Sequence, residues 1–378
     1  MKPNLPIIVV LGGYGVLGQQ FCYALAKDNR AKIVIAGRQN NKAKALAEKL
    51  KSTFSKSDIS YAVLDTSAPD FKDRLIQTEA TLVVNMAGPY LDQTYQVSRI
   101  CIGAKMHYLD LAEVRDTVVN ISLLEEDAKQ KGVVVLSGAS LFPGLTSVII
   151  DKYALHFSTL RVIEFGVAQG SQAERGLARV KTILLGLGKP FQRLNNGQEE
   201  TVYGGQNLHR FYYGDNVGMR WQADYDLPEL TLLKQRYPKL STIKFHLGIE
   251  PKILQGLIWL LSWIPRSQIC DNLGFLARPF LWVSRILKGW GSDLTGLYIH
   301  LYGTDFEYQP HDIRWNLVLQ TKHGINLPII PTLILSYKIL QGEIEAGARP
   351  CFGAFTLEEF DEMAQRWNIY HTLEEQQL

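Results

Sequence analysis

Three glycines near the N-terminus follow the G-x-G-x-x-G spacing, directly after the apolar run Ile7–Leu11. At this spacing the first glycine allows a tight turn, the second lets backbone approach a pyrophosphate, and the third lets a helix pack against the strand. The unpaired N–H groups at the start of that helix can bind phosphate. The motif therefore predicts a bound dinucleotide, with a glycine-rich loop that binds no ligand as the alternative. The residues predicted to contact the dinucleotide are Gly13, Tyr14, Gly15, Val16, Leu17 and Gly18.

Arg38 follows the second predicted strand by two residues, and residues 36–42 contain no acid. NAD-binding domains usually carry Asp or Glu about 20 residues beyond the glycines, where it binds the ribose 2′-OH. A carboxylate would repel a 2′-phosphate, whereas the planar guanidinium of Arg38 can pair with it and stack on adenine. The sequence therefore predicts NADP(H), with a solvated surface arginine as the alternative.

The third predicted strand is followed by Asp65, which has two possible uses. Its carboxylate could accept a hydrogen bond from the adenine amino group, or it could cap the turn that follows. We include Asp65 among the candidate cofactor-binding residues and keep the capping role as the alternative.

Strands and helices alternate from the glycine loop onward. The predicted strands cover residues 7–11, 32–36, 60–64, 81–86, 107–111 and 132–136, and helical stretches separate several of them. This alternation predicts an α/β fold with a Rossmann-type, doubly wound parallel sheet. We expect this domain to cover residues 1–144.

The pattern changes after Ser140, where Phe142-Pro143-Gly144 interrupts the chain. Longer, glycine-punctuated strands then occur without strict alternation, which predicts a second, α+β domain over residues 145–335 for substrate binding or oligomerisation. A capping-box pattern that begins at Thr356 predicts a final helix. We expect the segment 336–378 to pack back on the first domain.

The composition argues against several classes of protein. A chain of 378 residues, 46% of them hydrophobic, can form two domains with cores. The net charge of +3 is mild and the cations are scattered, so no nucleic-acid partner is expected. The four cysteines are widely spaced and form no C-x-x-C pair. We therefore expect reduced thiols, no metal site and a cytoplasmic protein.

Several segments together resemble the saccharopine dehydrogenase-like family of NADP-binding oxidoreductases. They are residues 13–18, 36–38, 85–90, 107–112 and 137–140, and a weaker similarity lies at residues 347–353. In this family the Asn-Ala-Gly-Pro segment after the fourth strand lines the cofactor cleft near the nicotinamide. The resemblance implies that role for Asn85, Ala87, Gly88, Pro89 and Tyr90.

The candidate catalytic residues are Tyr90, Asp110 and Arg115. Hydride transfer requires few protein groups, because the cofactor carries the reaction. Asp110 ends the fifth predicted strand, where parallel sheets bind ligands, and the other two residues would complete a polar rim there. The alternative for Asp110 is a helix cap or an ion pair.

A tryptophan-rich stretch covers residues 252–290, with four of the seven tryptophans, five basic residues and a single acid, Asp271. Its purest apolar run, Ile253–Ile264, would be about 18 Å long as a helix, too short for a hydrocarbon core of about 30 Å. We expect the stretch to be mostly buried, as a core or a homodimer interface. The alternative is peripheral contact with a membrane through an amphipathic segment.

These features predict an NADP(H)-dependent oxidoreductase that acts on a small-molecule or lipid-like substrate. One alternative is an NADP-binding scaffold or sensor without catalysis, and another is a peripheral membrane protein that acts on lipids. Neither the substrate nor the bond that is reduced follows from a fold-level resemblance.

Overall fold

The structure is a computed structural model that describes residues 5–91, 94–320 and 324–377. The chain divides into two compact units, each formed by two separate segments. The first unit contains residues 1–145 and 328–355, and the second contains residues 146–327 and 356–378.

Twelve elements make up the N-terminal part of the described chain. They are β1 (Ile7–Leu11), α1 (Val16–Asp28), β2 (Lys32–Gly37), α2 (Asn40–Thr53), β3 (Ile59–Val63), α3 (Phe71–Ile76), β4 (Leu82–Asn85), α4 (Gln96–Gly103), β5 (His107–Asp110), α5 (Arg115–Val119), α6 (Glu125–Lys131) and β6 (Val134–Ser137).

The elements that follow begin with a helix and contain most of the antiparallel strands. They are α7 (Thr146–Ala154), β7 (Thr159–Gln169), α8 (Leu177–Gly186), β8 (Pro190–Asn195), β9 (Gln198–Tyr203), β10 (His209–Tyr212), β11 (Met219–Asp224), α9 (Glu229–Arg236), β12 (Thr242–Ile249), α10 (Lys252–Arg266), α11 (Ala277–Ile286), β13 (Leu294–Thr304), β14 (Pro310–Gln320), α12 (Ile330–Leu340), β15 (Gly347–Pro350), α13 (Leu357–Gln365) and β16 (His371–Gln377).

The first unit is built on a seven-stranded parallel sheet with the strand order β15-β6-β5-β4-β1-β2-β3. Its central strands are continuous apolar runs, and all four residues of β4 are buried. A parallel sheet needs such strands because helices cover both of its faces. The order 3-2-1-4-5-6 is that of the Rossmann fold, so the predicted fold class is confirmed.

The second unit is built on a mixed seven-stranded sheet with the order β10-β11-β12-β7-β13-β14-β16. Only the pair β12–β7 is parallel, and the other neighbours are antiparallel. A separate hairpin joins β8 and β9. This unit is the α+β domain that the sequence predicts.

The C-terminal part of the chain is shared between the units, which corrects the expectation that residues 336–378 pack on the first domain. Strand β15 does extend the first sheet, next to β6. Strand β16, however, pairs with β14, and α13 packs against α7, so residues from Thr356 onward belong to the second unit.

Helix α12 begins before the predicted boundary at residue 335 and belongs to the first unit. Its Thr332 hydroxyl donates to the carbonyl of Ala139 at 2.6 Å, and its Tyr337 hydroxyl donates to Asp28 at 2.8 Å. The predicted second domain is therefore too long by this helix, because apolar composition alone does not reveal which core a helix joins.

The tryptophan-rich stretch forms α10 and α11 in the second unit, and it is not mostly buried. Trp282 and Trp290 are 65% and 69% exposed, and Phe275 is 72% exposed. The expectation of a protein core is therefore wrong for the outer face of both helices. No helix within the described ranges has the length and apolar character needed to cross a membrane.

Candidate functional site

The turn after β1 is made by Gly12 rather than Gly13. Gly12 has φ = +73°, and a Cβ there would lie 2.9 Å from the carbonyl oxygen of Met86. Only glycine adopts this conformation without strain in so little space. The motif predicts that Gly13 makes this tight turn. In the structure, the Gly13 N–H donates to the carbonyls of Val10 and Ala36.

The two other glycines of the motif have different surroundings. A Cβ on Gly18 would lie 2.3 Å from the Gly12 oxygen, so this residue allows close packing of α1 on the turn. A Cβ on Gly15 would meet a single atom within 4 Å, the Gly12 oxygen at 3.1 Å, so the space beyond Gly15 is open. That open space is where the motif predicts a pyrophosphate.

Helix α1 starts at Val16, with Gly15 as its N-cap and no acidic residue in its first turn. The first N–H groups of a helix have no partner within the helix, and the helix dipole adds a partial positive charge there. Val16, Leu17 and Gly18 supply these groups, so the loop has the donors that a dinucleotide phosphate requires.

Tyr14 packs on the end of β2. A Cβ on Gly37 would lie 2.4 Å from Cε1 of the Tyr14 ring, so the ring covers the bare backbone of that glycine. The Tyr14 hydroxyl accepts a hydrogen bond from the Gln39 N–H at 2.9 Å. Gly37 is thus required for this packing, whereas the sequence predicted a role only for Arg38 within the segment 36–38.

Arg38 follows β2 with an exposed side chain, and it forms no ion pair within the described part of the chain. A guanidinium in this position is free to bind a phosphate. Asp65 lies two residues after β3, where its Oδ1 accepts from the Ser67 N–H at 3.1 Å. The capping alternative for Asp65 therefore has a structural basis, and its contact with a cofactor stays a prediction.

The loop after β4 is held by Asn85, which is buried. Its Nδ2 donates to the Tyr108 hydroxyl at 3.1 Å, and its Oδ1 accepts from the Ala87 N–H at 3.1 Å. The Tyr90 hydroxyl then donates back to the Asn85 carbonyl at 2.9 Å. These bonds fix the Ala87-Gly88-Pro89 segment, in which the Gly88–Pro89 peptide is cis.

Asp110 is a buried acceptor that joins the ends of β5 and β6. Its Oδ1 accepts from the Ser137 hydroxyl at 2.8 Å and from the N–H groups of Gly138 and Ala112 at 3.0 Å each. Burial raises the pKa of the Asp110 carboxyl, and these hydrogen bonds oppose the rise. Among the described residues Asp110 forms no ion pair, and the N-cap of the next helix, α5, is Val114. The catalytic role of Asp110 stays a prediction.

The candidate residues follow the carboxyl ends of neighbouring strands of one parallel sheet. The glycine loop follows β1, which pairs with β2 and β4, and β4 pairs with β5. Arg115 is half-buried at the start of α5, just beyond β5. Burial and the negative charges of Asp110 and Glu113 raise the pKa of Tyr90 well above its usual value. Tyr90 therefore stays a neutral hydroxyl at physiological pH.

The second unit has a polar sheet face that the sequence reasoning missed. The Tyr298 hydroxyl lies 3.0 Å from His246 Nδ1 and donates to Glu164 at 3.2 Å. Next to it, a cavity of about 750 Å³ is lined by Tyr298, His300 and Arg314, among others. The sequence does contain a signal for this polar face. Polar and apolar residues alternate along residues 297–302, as they do in a strand with one polar face.

A cluster of metal-binding residue types lies elsewhere in the second unit. Oε1 of Glu375 is 3.0 Å from His156 Nδ1 and 3.0 Å from His311 Nε2. Glu375 and His156 form a hydrogen bond, and the nearby imidazoles of His156 and His311 lower the pKa of the Glu375 carboxyl. The cluster joins β16 to β14 without requiring an ion.

Comparison with known proteins identifies a family match within the first unit. The family model for the saccharopine dehydrogenase NADP-binding domain matches residues 8–136. No curated protein sequence matches the chain significantly.

Among solved structures, the apo histidine-tagged saccharopine dehydrogenase (L-Glu forming) from Saccharomyces cerevisiae is similar with a TM-score of 0.69. The match has 14% sequence identity and covers 98% of this chain and 100% of the yeast chain. An amine dehydrogenase from Mycobacterium smegmatis matches at 11% identity with a TM-score of 0.48, over 93% of this chain and 96% of that one. At such identities the yeast structure shows a shared fold and nothing about the substrate. Residues 8–136 thus match the saccharopine dehydrogenase NADP-binding domain, which confirms the family resemblance over this part of the chain and supports NADP as the cofactor.

Proposed function

We propose that the protein is an NADP(H)-dependent oxidoreductase whose cofactor binds at the carboxyl edge of the first sheet. The observation that carries this proposal is the combination of the open glycine turn before α1 with the exposed guanidinium of Arg38 after β2. The family match over residues 8–136 supports the same cofactor.

The residues of the first unit have separate roles in this proposal. The N-terminal N–H groups of α1 bind the pyrophosphate, and Arg38 binds the 2′-phosphate. Asn85 and Tyr90 hold the loop that faces the nicotinamide, with Tyr90 as a neutral donor. The bound cofactor supplies or accepts a hydride, so the protein mainly has to position the substrate.

A cofactor titration tests the proposal. Arg38→Ala should weaken NADPH binding by about 1.5–3 kcal/mol, roughly tenfold to a hundredfold, because a charged contact to the 2′-phosphate is lost. NADH binding should stay unchanged. Isothermal titration calorimetry of both cofactors with both proteins gives the comparison.

The matched control is Arg161→Ala, because Arg161 is also an exposed arginine but lies on β7 of the second unit. It should leave both affinities unchanged. Equal affinity of the unsubstituted protein for NADPH and NADH would contradict the cofactor assignment. Tight NADPH binding without oxidation by any of a panel of ketones, imines and enones would favour the scaffold or sensor alternative.

A further inference from the structure

Helix α10 has polar side chains on its buried face as well as apolar side chains on its exposed face. The residues that point into the unit include Gln255 and Ser262, both buried. The Gln255 Oε1 accepts from the Ile249 N–H at 2.9 Å, and the Ser262 hydroxyl accepts from Gln206 at 2.6 Å. These two uncharged polar groups of α10 are thus used inside the protein.

The outer face of α10 is apolar. Ile253, Leu260 and Trp263 are 58%, 60% and 41% exposed, and on a helical projection they form one stripe opposite the buried side. An ordinary surface helix has its polar side chains there. The outer face of α10 is thus an apolar surface that no described residue covers.

Helix α11 continues the same pattern. Trp282 and Ile286 lie on α11, and Phe275 and Trp290 lie in the 3-10 turns that precede and follow it. All four are exposed, and their spacing of seven, four and four residues places them on one side of this segment. Its inner face is held by Phe280 and Ser284, which are buried, and the helix packs against α8. The exposed stripe therefore belongs to a helix that is packed into the folded second unit.

Basic residues border the apolar stripes. Arg278 and Arg285 are seven positions apart on α11 and lie beside its stripe, and Lys252 and Lys288 are also exposed. None of these four cations forms an ion pair with any residue that the structure describes. The stretch 252–290 has five cations and one acid, and its net charge is therefore +4. Because the net charge of the whole chain is +3, all other residues together carry a net charge of −1.

We propose that the outer faces of α10 and α11 form a docking surface for an anionic lipid bilayer. Tryptophan and aliphatic side chains insert at the boundary between headgroups and acyl chains, while adjacent lysines and arginines bind anionic headgroups. Helix α10, with 15 residues, is about 22 Å long, so it lies in the interface and does not span the hydrocarbon core of about 30 Å.

Charge favours a bilayer over a second copy of the chain. A twofold dimer contact places the same surface on both partners, so the four unpaired cations would face an identical set. Like charges across an interface oppose association. An anionic bilayer satisfies both the apolar stripes and the unpaired cations. The proposal is independent of the cofactor assignment, because every residue involved lies in the second unit.

Vesicle flotation of the full chain tests the docking surface. The protein should float with vesicles of phosphatidylcholine and phosphatidylserine at low salt and should remain unbound with pure phosphatidylcholine. Trp282→Ser with Trp290→Ser should reduce binding at least tenfold, and Arg278→Glu with Arg285→Glu should reduce it by about fivefold or more for each cation removed. High salt should weaken the binding of the unsubstituted protein.

The matched control is Phe306→Ser with Tyr308→Ser, because these aromatic residues are equally exposed on the turn between β13 and β14. This variant should bind vesicles normally. NADPH affinity and circular dichroism should be unchanged in all variants, which separates loss of docking from loss of fold. Absence of vesicle binding, equal binding to neutral vesicles, or a dimer in light scattering that Trp282→Ser converts to monomer would each overturn the proposal.

Discussion

Helices α10 and α12 are both strongly apolar, yet they have opposite surroundings. Nine of the eleven residues of α12 are buried, whereas five of the fifteen residues of α10 are buried. Each helix also has buried polar side chains that bond within the protein, as Thr332 does to Ala139 and Gln255 to Ile249. The difference shows that apolar composition predicts that a face will be covered, but not whether the chain itself covers it.

The strongest test of this contrast uses the same substitution in both helices. Leu333→Asp should unfold the first unit or destabilise it by more than about 4 kcal/mol, because Leu333 is fully buried and a carboxylate there has no partner. Leu260→Asp should change the stability by less than about 0.5 kcal/mol, because that side chain is 60% exposed. Urea denaturation followed by circular dichroism measures both values. Similar losses in the two variants would remove the contrast between the helices.

A second test examines the inward polar side of α10. Gln255→Leu should lower the free energy of unfolding by about 1–3 kcal/mol. The buried Ile249 N–H loses its acceptor, while the volume of the side chain is nearly unchanged. The matched control is Gln365→Leu, since Gln365 is an exposed glutamine at the end of α13. Unfolding midpoints in urea give the comparison. If Gln255→Leu stabilised the protein, its hydrogen bond would not be what orients α10.

The smallest effect is expected at the end of α12. Tyr337→Phe removes the hydroxyl that donates to Asp28 at 2.8 Å, which should cost about 1 kcal/mol. Tyr308→Phe serves as the control, because Tyr308 is 83% exposed. Loss of its hydroxyl should have no measurable effect on stability. Differential scanning calorimetry can resolve the two. Equal melting temperatures for all three proteins would show that packing alone holds α12.

Much of the first unit could be predicted because glycine spacing and strand–helix alternation are local signals. Strand β1 has the predicted limits, and the parallel order follows from the alternation. Strand β15 was missed since its four residues include Pro350 and are too few to form a pattern. Strand β16 was missed because its residues are mainly polar and it lies at a sheet edge.

The candidate site was predictable as a set of segments but not as a set of contacts. The turn conformation of Gly12 depends on the approach of Met86, which is distant in sequence. The burial of Asp110 depends on Ser137 and Gly138, which a neighbouring strand brings to it. The exposure of Trp282 depends on what packs around α11. Local sequence contains none of this information.

Strand β15 also determines when the first unit can be completed during synthesis. The ribosome makes β6 early, but the strand that pairs with it follows after about 200 further residues, a delay of about 10–40 s at 5–20 residues per second. During this time β6, with the apolar sequence Val134-Val135-Leu136-Ser137, is an open sheet edge on the nascent chain. Open apolar edges are sites of aggregation. The free edge of β6 therefore stays open to pairing with other strands until Gly347–Pro350 emerges.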